Sequence, residues 1–103
     1  MTKGYWIVHV DIQDIEKFKS YVSANVEPFK KYGARFLARS GTFESVEGST
    51  RSRNTLVEFP SYQAALDCWH SEAYQAAKTL RDGACKIDIT IIEGYEGPQP
   101  GDN

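Results

Sequence analysis

The chain has 103 residues and a formal net charge of −2, from 12 basic and 14 acidic side chains. That length suits one domain with one modest core, and the charge balance excludes the broad cationic field used to hold nucleic acid or anionic lipid. Two cysteines, Cys68 and Cys85, exclude a disulfide framework and read as small hydrophobes in a reducing compartment.

The opening residues, Met1-Thr2-Lys3-Gly4, pass straight into a strand pattern with no secretory apolar region, and no apolar run is long enough to span a bilayer. A cytoplasmic protein with no membrane partner is the expectation. Residues 5–12 read as the first strand, with Trp6, Val8, Val10 and Ile12 on one face and Tyr5, Ile7, His9 and Asp11 on the other. Both faces are largely apolar as far as His9, which suggests cover on both sides.

Asp14 is placed to cap a helix whose apolar stripe is Ile15, Phe18, Tyr21, Val22, Val26 and Phe29. Pro28 predicts a kink or an early end near Glu27, because proline removes a backbone donor and crowds the preceding turn. Lys30 and Lys31 suit a helix C-terminus, and Gly33 is a natural stop. Residues 34–38 form the predicted second strand, with Phe36 and Leu37 on opposite faces, followed by a bend at Gly41 and extended chain to Val46. Residues 47–54 are polar and read as an exposed turn carrying Arg51 and Arg53. Residues 55–59 give a third strand, ended by Pro60.

Ser61 should cap a second helix that buries Tyr62, Ala65, Leu66 and Trp69. Ser71 should cap a short helix over 72–80, with Tyr74 and Ala77 as its packing face and Gly83 closing it. Residues 85–92 alternate Cys85, Ile87, Ile89 and Ile91 against Lys86, Asp88 and Thr90, the pattern of a fourth strand. The segment 97–103 carries Gly97, Pro98, Pro100 and Gly101 and is expected to be a flexible tail on a single domain of residues 1–96.

The order is βαββαβ, two split βαβ units, which predicts a ferredoxin-like α+β fold. Both helical segments then lie on one face of a four-stranded antiparallel sheet. The reverse face is left bare and too apolar to meet water as one patch. Pairing with a second copy, face to face, hides it.

Several pieces carry a family resemblance: Gly4-Tyr5, Asp11, Tyr32-Gly33, Phe36-Leu37-Ala38-Arg39, Gly41 and Glu47-Gly48. Glu58-Phe59-Pro60-Ser61, Ala64-Ala65, Trp69, Ser71, Glu72-Ala73-Tyr74-Gln75 and Arg81 complete the set. In this order and spacing, from Gly4 to about Gly94, the chain resembles the bacterial family called domain of unknown function 1330. The resemblance implies a dimeric α+β barrel of ferredoxin-like type and no defined reaction. Similar barrels include small haem-degrading and quinol-forming monooxygenases, lactone isomerases and stress-related dimeric proteins, a link at the level of fold alone. Ser40 stands where glycine is common, which would mean that the bend after Arg39 needs no positive φ there. Glu72 stands where proline is common.

Six residues are candidates for chemistry. His9 could exchange a proton near neutrality, or serve as an interface histidine bonded to a backbone carbonyl. Arg39 ends the second strand and could grip a carboxylate or enolate, or pair with Glu58 or Glu47 at a dimer rim. Trp69 and Tyr74 could line a flat cavity or fill the core. Arg81 could face that cavity or pair with Asp82 or Glu72, and Arg53 could reach over it from the turn. His9 and Arg39 are the catalytic candidates; Trp69, Tyr74, Arg81 and Arg53 are the ligand-binding ones.

His9 and His70 belong to no metal-ligand array, and no phosphate loop, flavin or nicotinamide motif is present, so neither metal nor cofactor is expected. The expected function is a homodimer that binds a small acidic or aromatic ligand in a cavity near the sheet. The alternatives are a non-enzymatic structural or regulatory dimer, and a cofactor-free isomerase or monooxygenase.

Overall fold

The computed structural model describes residues 2–102; Met1 and Asn103, the outermost residues of the expected domain and tail, lie outside the described residues. Four strands, β1 (Gly4–Ile12), β2 (Arg35–Arg39), β3 (Arg53–Phe59) and β4 (Cys85–Glu93), form one antiparallel sheet in the order β2-β3-β1-β4. Four helices, α1 (Ile15–Ala24), α2 (Val26–Lys31), α3 (Tyr62–His70) and α4 (Glu72–Thr79), complete the split βαβ pair. The fold is ferredoxin-like α+β.

Caps fall where short polar side chains precede apolar stripes. Asp14 accepts from the Lys17 amide, Ser61 from that of Ala64 and Ser71 from that of Tyr74. The first helical stretch breaks earlier than Glu27. Helix α1 ends at Ala24, Asn25 joins the two pieces, and α2 carries Pro28 inside its first turn. Ala24 is four residues before Pro28, the position whose carbonyl a proline ring excludes. Gly33 and Gly83 stop their helices at φ +76° and +74°.

Strand β2 is shifted one residue from expectation and is irregular. Phe36 pairs with Val57 and Ala38 with Leu56, so Leu37 is the extra residue of a bulge. Chain 41–46 is irregular rather than a strand extension. Ser40 sits at φ 50°, so the bend does use the left-handed region, at a cost of about 1–2 kcal/mol for a residue with a Cβ.

The core lies between the sheet and the helices and is built around Trp6, which is fully buried. Its ring centroid lies 5.2 Å from Phe29, 5.3 Å from Phe59, 5.9 Å from Trp69 and 5.0 Å from Tyr74. Its indole Nε1 donates to the Ala65 carbonyl at 3.0 Å, tying β1 to α3. Gly4 lets α3 begin directly against β1, since a Cβ there would lie 2.5 Å from the Ser61 carbonyl oxygen. Leu66 is only half-buried, and Cys68 takes its expected place in the core. Helix α1 makes its closest backbone approach to α4 and then to α2, while its Phe18 and Val22 pack against the core.

On the reverse face, neighbours across the strands are Tyr5 with Glu58 and Ile92, Ile7 with Leu56 and Thr90, and His9 with Asn54 and Asp88. The face is apolar at one end and polar at the other, which is less uniformly apolar than the alternation suggested. The turn before β3 is docked on the polar end. Arg51 pairs with Asp88 at 2.8 Å and Asp11 at 3.1 Å, and the Ser52 amide donates to Asp11 at 2.8 Å. Sequence alone could not supply these partners, because Asp11 and Asp88 come from strands at opposite ends of the chain. After β4, Tyr95 donates to the Pro98 carbonyl and the Gln99 amide to Asp102, a local turn.

Two outcomes follow from this packing. Trp6→Phe removes the Ala65 partner and opens space among four rings, and should lower the unfolding free energy by about 2–4 kcal/mol in urea titrations. The Ser52 backbone and side-chain hydrogen bonds, joined by Arg51, hold Asp11 below its ordinary 3.8. Its contribution is therefore present above pH 3.8 and lost as pH falls through the lowered folded value. The Ser52 amide resonance should stay fixed from neutral pH to about pH 4 and move only below 3.8; a midpoint at or above 3.8 would contradict the docking.

Candidate functional site

Because α1 leans on α4, a cleft of about 80 Å³ stays open between α1 and the sheet. Its floor is the helix-facing side of the central strands: Trp6, Val8 and Val10 of β1, with Val57 and Thr55 of β3. Its roof is Phe18, Tyr21 and Val22 of α1, continued by Asn25 at the helix break and Phe29 of α2. Phe36, Arg39, Ser40 and Arg53 form the side toward β2.

The floor is graded along the strands. Pairing sets Trp6 level with Val57 and Phe36, Val8 level with Thr55 and Arg39, and Val10 level with Arg53. One end is thus aromatic, and Arg39 and Arg53 join the floor toward the other. The Arg39 guanidinium lies 4.1 Å from the Phe36 ring centroid, a cation–π contact that steadies it at the rim. Among the described residues neither Arg39 nor Arg53 has a carboxylate partner, Glu58 and Glu47 included, and the cleft lining contains no acidic side chain.

The remaining candidates fall elsewhere. His9 is on the reverse face of the sheet, so it and Arg39 do not share a cavity within one chain. It lines a separate polar hollow of about 410 Å³ with Asp11, Ser49, Thr50, Arg51 and Asp88. Its Nδ1 lies 2.6 Å from Asn54 Oδ1; that oxygen only accepts, so Nδ1 carries the proton. The partner is thus a side-chain amide rather than a backbone carbonyl.

Trp69 is half-buried against the core, and Tyr74 is fully buried in it, neither lining the cleft. Arg81 pairs with neither Asp82 nor Glu72 among the described residues. It is buried, its guanidinium 4.9 Å from the Tyr21 ring centroid, and its Nε lacks a partner. It faces the paired hydroxyls of Tyr21 and Tyr74, which are 2.7 Å apart. Burial pushes the Tyr74 hydroxyl well above its ordinary value, so it stays protonated. Burial likewise pushes the Cys68 thiol up to about 12 beside the Pro28 carbonyl, which leaves it unreactive.

Two cleft residues escaped the sequence reading. Tyr21 sat in the helical stripe as an ordinary core residue. Asn25 gave no signal, because a polar residue next to a helix break reads as a cap. In the fold it is 6% exposed, makes no side-chain cap bond, and lines the cleft. Among the described residues no group of three or more His, Cys, Asp or Glu side chains is placed to hold a metal ion, and no helix is long and apolar enough to cross a membrane.

Comparison with known proteins agrees with this architecture. A protein of unknown function from Rhodopseudomonas palustris, RPA0582, superposes with a TM-score of 0.75 at 13% identity over 93% of this chain and 85% of its own. SnoaB, a cofactor-independent oxygenase from Streptomyces nogalater, superposes with a TM-score of 0.61 at 8% identity over 97% of this chain and 99% of its own. An antibiotic biosynthesis monooxygenase gives 0.55 at 15% identity over 95% of this chain and 100% of its own. At these identities the likeness is one of fold. No curated protein matches the sequence. The family described as Domain of unknown function (DUF1330) matches residues 3–95, and the chain belongs to that family.

Proposed function

We propose that the chain is one subunit of a homodimer that binds a small organic anion with an apolar or aromatic body in the cleft beneath α1. The observation that carries this reading is the pair Arg39 and Arg53, both without carboxylate partners, at the mouth of an aromatic-floored cleft with no acidic lining. Guanidinium groups favour carboxylates and other planar anions, and the Trp6, Phe29 and Phe36 rings favour a flat body. At roughly 30 Å³ per water in the liquid, the cleft volume of about 80 Å³ corresponds to about three waters, so a ring that enters it stays partly outside the mouth.

Binding is favoured over acid–base catalysis. Among the described residues the cleft lining contains no histidine, carboxylate, lysine or thiol, and Tyr21 is its one hydroxyl of phenolic type. His9 is held on the other side of the sheet, which separates the proton-transfer candidate from the anion-binding one. The cofactor-free isomerase or oxygenase reading rests on the fold shared with SnoaB, whereas a dimer with a purely structural role leaves the two unpaired guanidinium groups without a purpose.

Dimerisation is supported by shape and exposure. The Cα trace extends 51 × 33 × 16 Å with a radius of gyration of 14.9 Å, against about 13 Å for a compact chain of 100 residues. That is a slab one helix layer and one sheet layer thick. The reverse face offers Tyr5, Ile7, Leu56 and Ile92, and chain 41–48 holds Phe43 48% and Val46 85% exposed. A second copy laid on that face would cover a contiguous apolar area.

Calorimetric titration with benzoate should show saturable binding that weakens with added salt. Arg39→Ala and Arg53→Ala should each reduce affinity about tenfold, the scale of a solvent-exposed charge-assisted hydrogen bond. Affinity unchanged in both variants would sink the anion site. In sedimentation at micromolar concentration the protein should run as a dimer and Ile7→Lys as a monomer; a monomeric parent protein would remove the dimer.

A further inference from the structure

The cleft has a second polar anchor, in its roof. Asn25 follows Tyr21 by one turn and precedes Phe29 by one turn, and all three line the roof. Phe29 touches Trp6 directly, and Tyr21 reaches it through Tyr74. Asn25 therefore sits over the aromatic end of the floor. Its backbone is in use at both sides of the helix break: its amide donates to the Tyr21 carbonyl and its carbonyl accepts from Phe29. Its carboxamide has no protein partner among the described residues, although the residue is 6% exposed.

That combination is costly unless something else satisfies the amide. The fully buried, unpartnered side-chain atom of the described residues is Arg81 Nε, not the Asn25 amide. The Asn25 nitrogen and oxygen thus keep contact with open space, and the space they line is the cleft. The Tyr21 hydroxyl does not compete for the same role, being engaged with Tyr74 at 2.7 Å.

The spacing completes the argument. Trp6 is two residues from Val8, which is level with Arg39, and four from Val10, which is level with Arg53. At about 3.4 Å per residue the backbone levels of Arg39 and Arg53 stand roughly 7 and 14 Å from that of Trp6 along the floor. One aromatic ring with a polar atom at each end joins partners roughly 12 Å apart once a hydrogen bond of about 3 Å is counted at each end, a length between these two spans. We infer that the cleft selects an aromatic carboxylate bearing a hydroxyl or carbonyl oxygen at the far end of its ring, with the carboxylate at Arg39 and Arg53 and the distal oxygen on the Asn25 carboxamide. This rests on the anion site proposed above and names the class of ligand that site takes.

The test compares benzoate with 4-hydroxybenzoate by calorimetry on the full chain. The parent protein should bind 4-hydroxybenzoate about tenfold more tightly, the worth of one good hydrogen bond in a confined site. Asn25→Leu, close in shape and without polar atoms, should bring the ratio of the two affinities to about one. Asn25→Ala provides a second variant, since the residue's φ of −79° and ψ of −8° suit alanine. Arg39→Ala should weaken both acids together and preserve their ratio. Equal binding of the two acids by the parent protein, or a preference that survives both Asn25 variants, overturns the Asn25 assignment and leaves the anion site standing. Binding of neither acid overturns both.

Discussion

The packing of Trp6 governs both what is solid and what is open in this molecule. Its indole is the one side chain that touches rings from α2, α3, α4 and β3 together, and its N–H fixes the start of the βαβ repeat to α3. Apolar burial is proportional to area and indifferent to direction, so a greasy core alone would let the helices slide. The hydrogen bond to Ala65 supplies direction. The same ring also lines the floor of the cleft, so one residue takes part both in fixing the helix layer and in shaping the hollow beneath it.

The cleft exists because α1 has a better partner than the sheet. Its Tyr21 hydroxyl meets that of Tyr74 across the α1–α4 contact, and Arg81 lies over the Tyr21 ring from the end of α4. A buried guanidinium without a carboxylate is an expensive group to retain. Here it is partly compensated by two hydroxyls and an aromatic face, and in turn it keeps α1 leaning sideways. The opening is thus a by-product of polar contacts in the helix layer, whereas its chemistry comes from the sheet edge, where Arg39 and Arg53 stand level with Val8 and Val10.

Much of the architecture was legible from periodicity. The alternation through Trp6, Val8 and Val10, the serine caps at 61 and 71, and the glycine stops at 33 and 83 are local signals that the fold obeys without conflict. The errors have local causes as well. The helix break moved from Glu27 to Asn25 because a proline acts on the carbonyl four residues back. Ser40 adopts a positive φ because the register of β2 and β3 demands the bend there, and no single-residue preference announces that. The site was less legible. Arg39 was recognisable by its place at a strand end and Arg53 only as a turn residue within reach, since the strand begins two residues earlier than its apolar run, but His9 shares a sheet with them on the opposite face, and only the parity of the strand tells the two faces apart. Tyr74 and Arg81 went into the core because their polar atoms found each other and Tyr21 over a separation that sequence spacing does not measure. Asn25 became visible only once its amide was seen to lack a partner.

The two outer strands bear on how the protein behaves when crowded. Strand β2 is five residues long, exposed throughout, broken by a bulge and bounded by Arg35 and Arg39. Strand β4 presents Lys86, Asp88 and Glu93 along its length. Short, irregular or charged margins resist the addition of a further strand. Growth of the sheet sideways into filaments is therefore discouraged at both borders, and the chain should remain dispersed at concentrations where a smoother β-rich slab of this thinness would begin to polymerise.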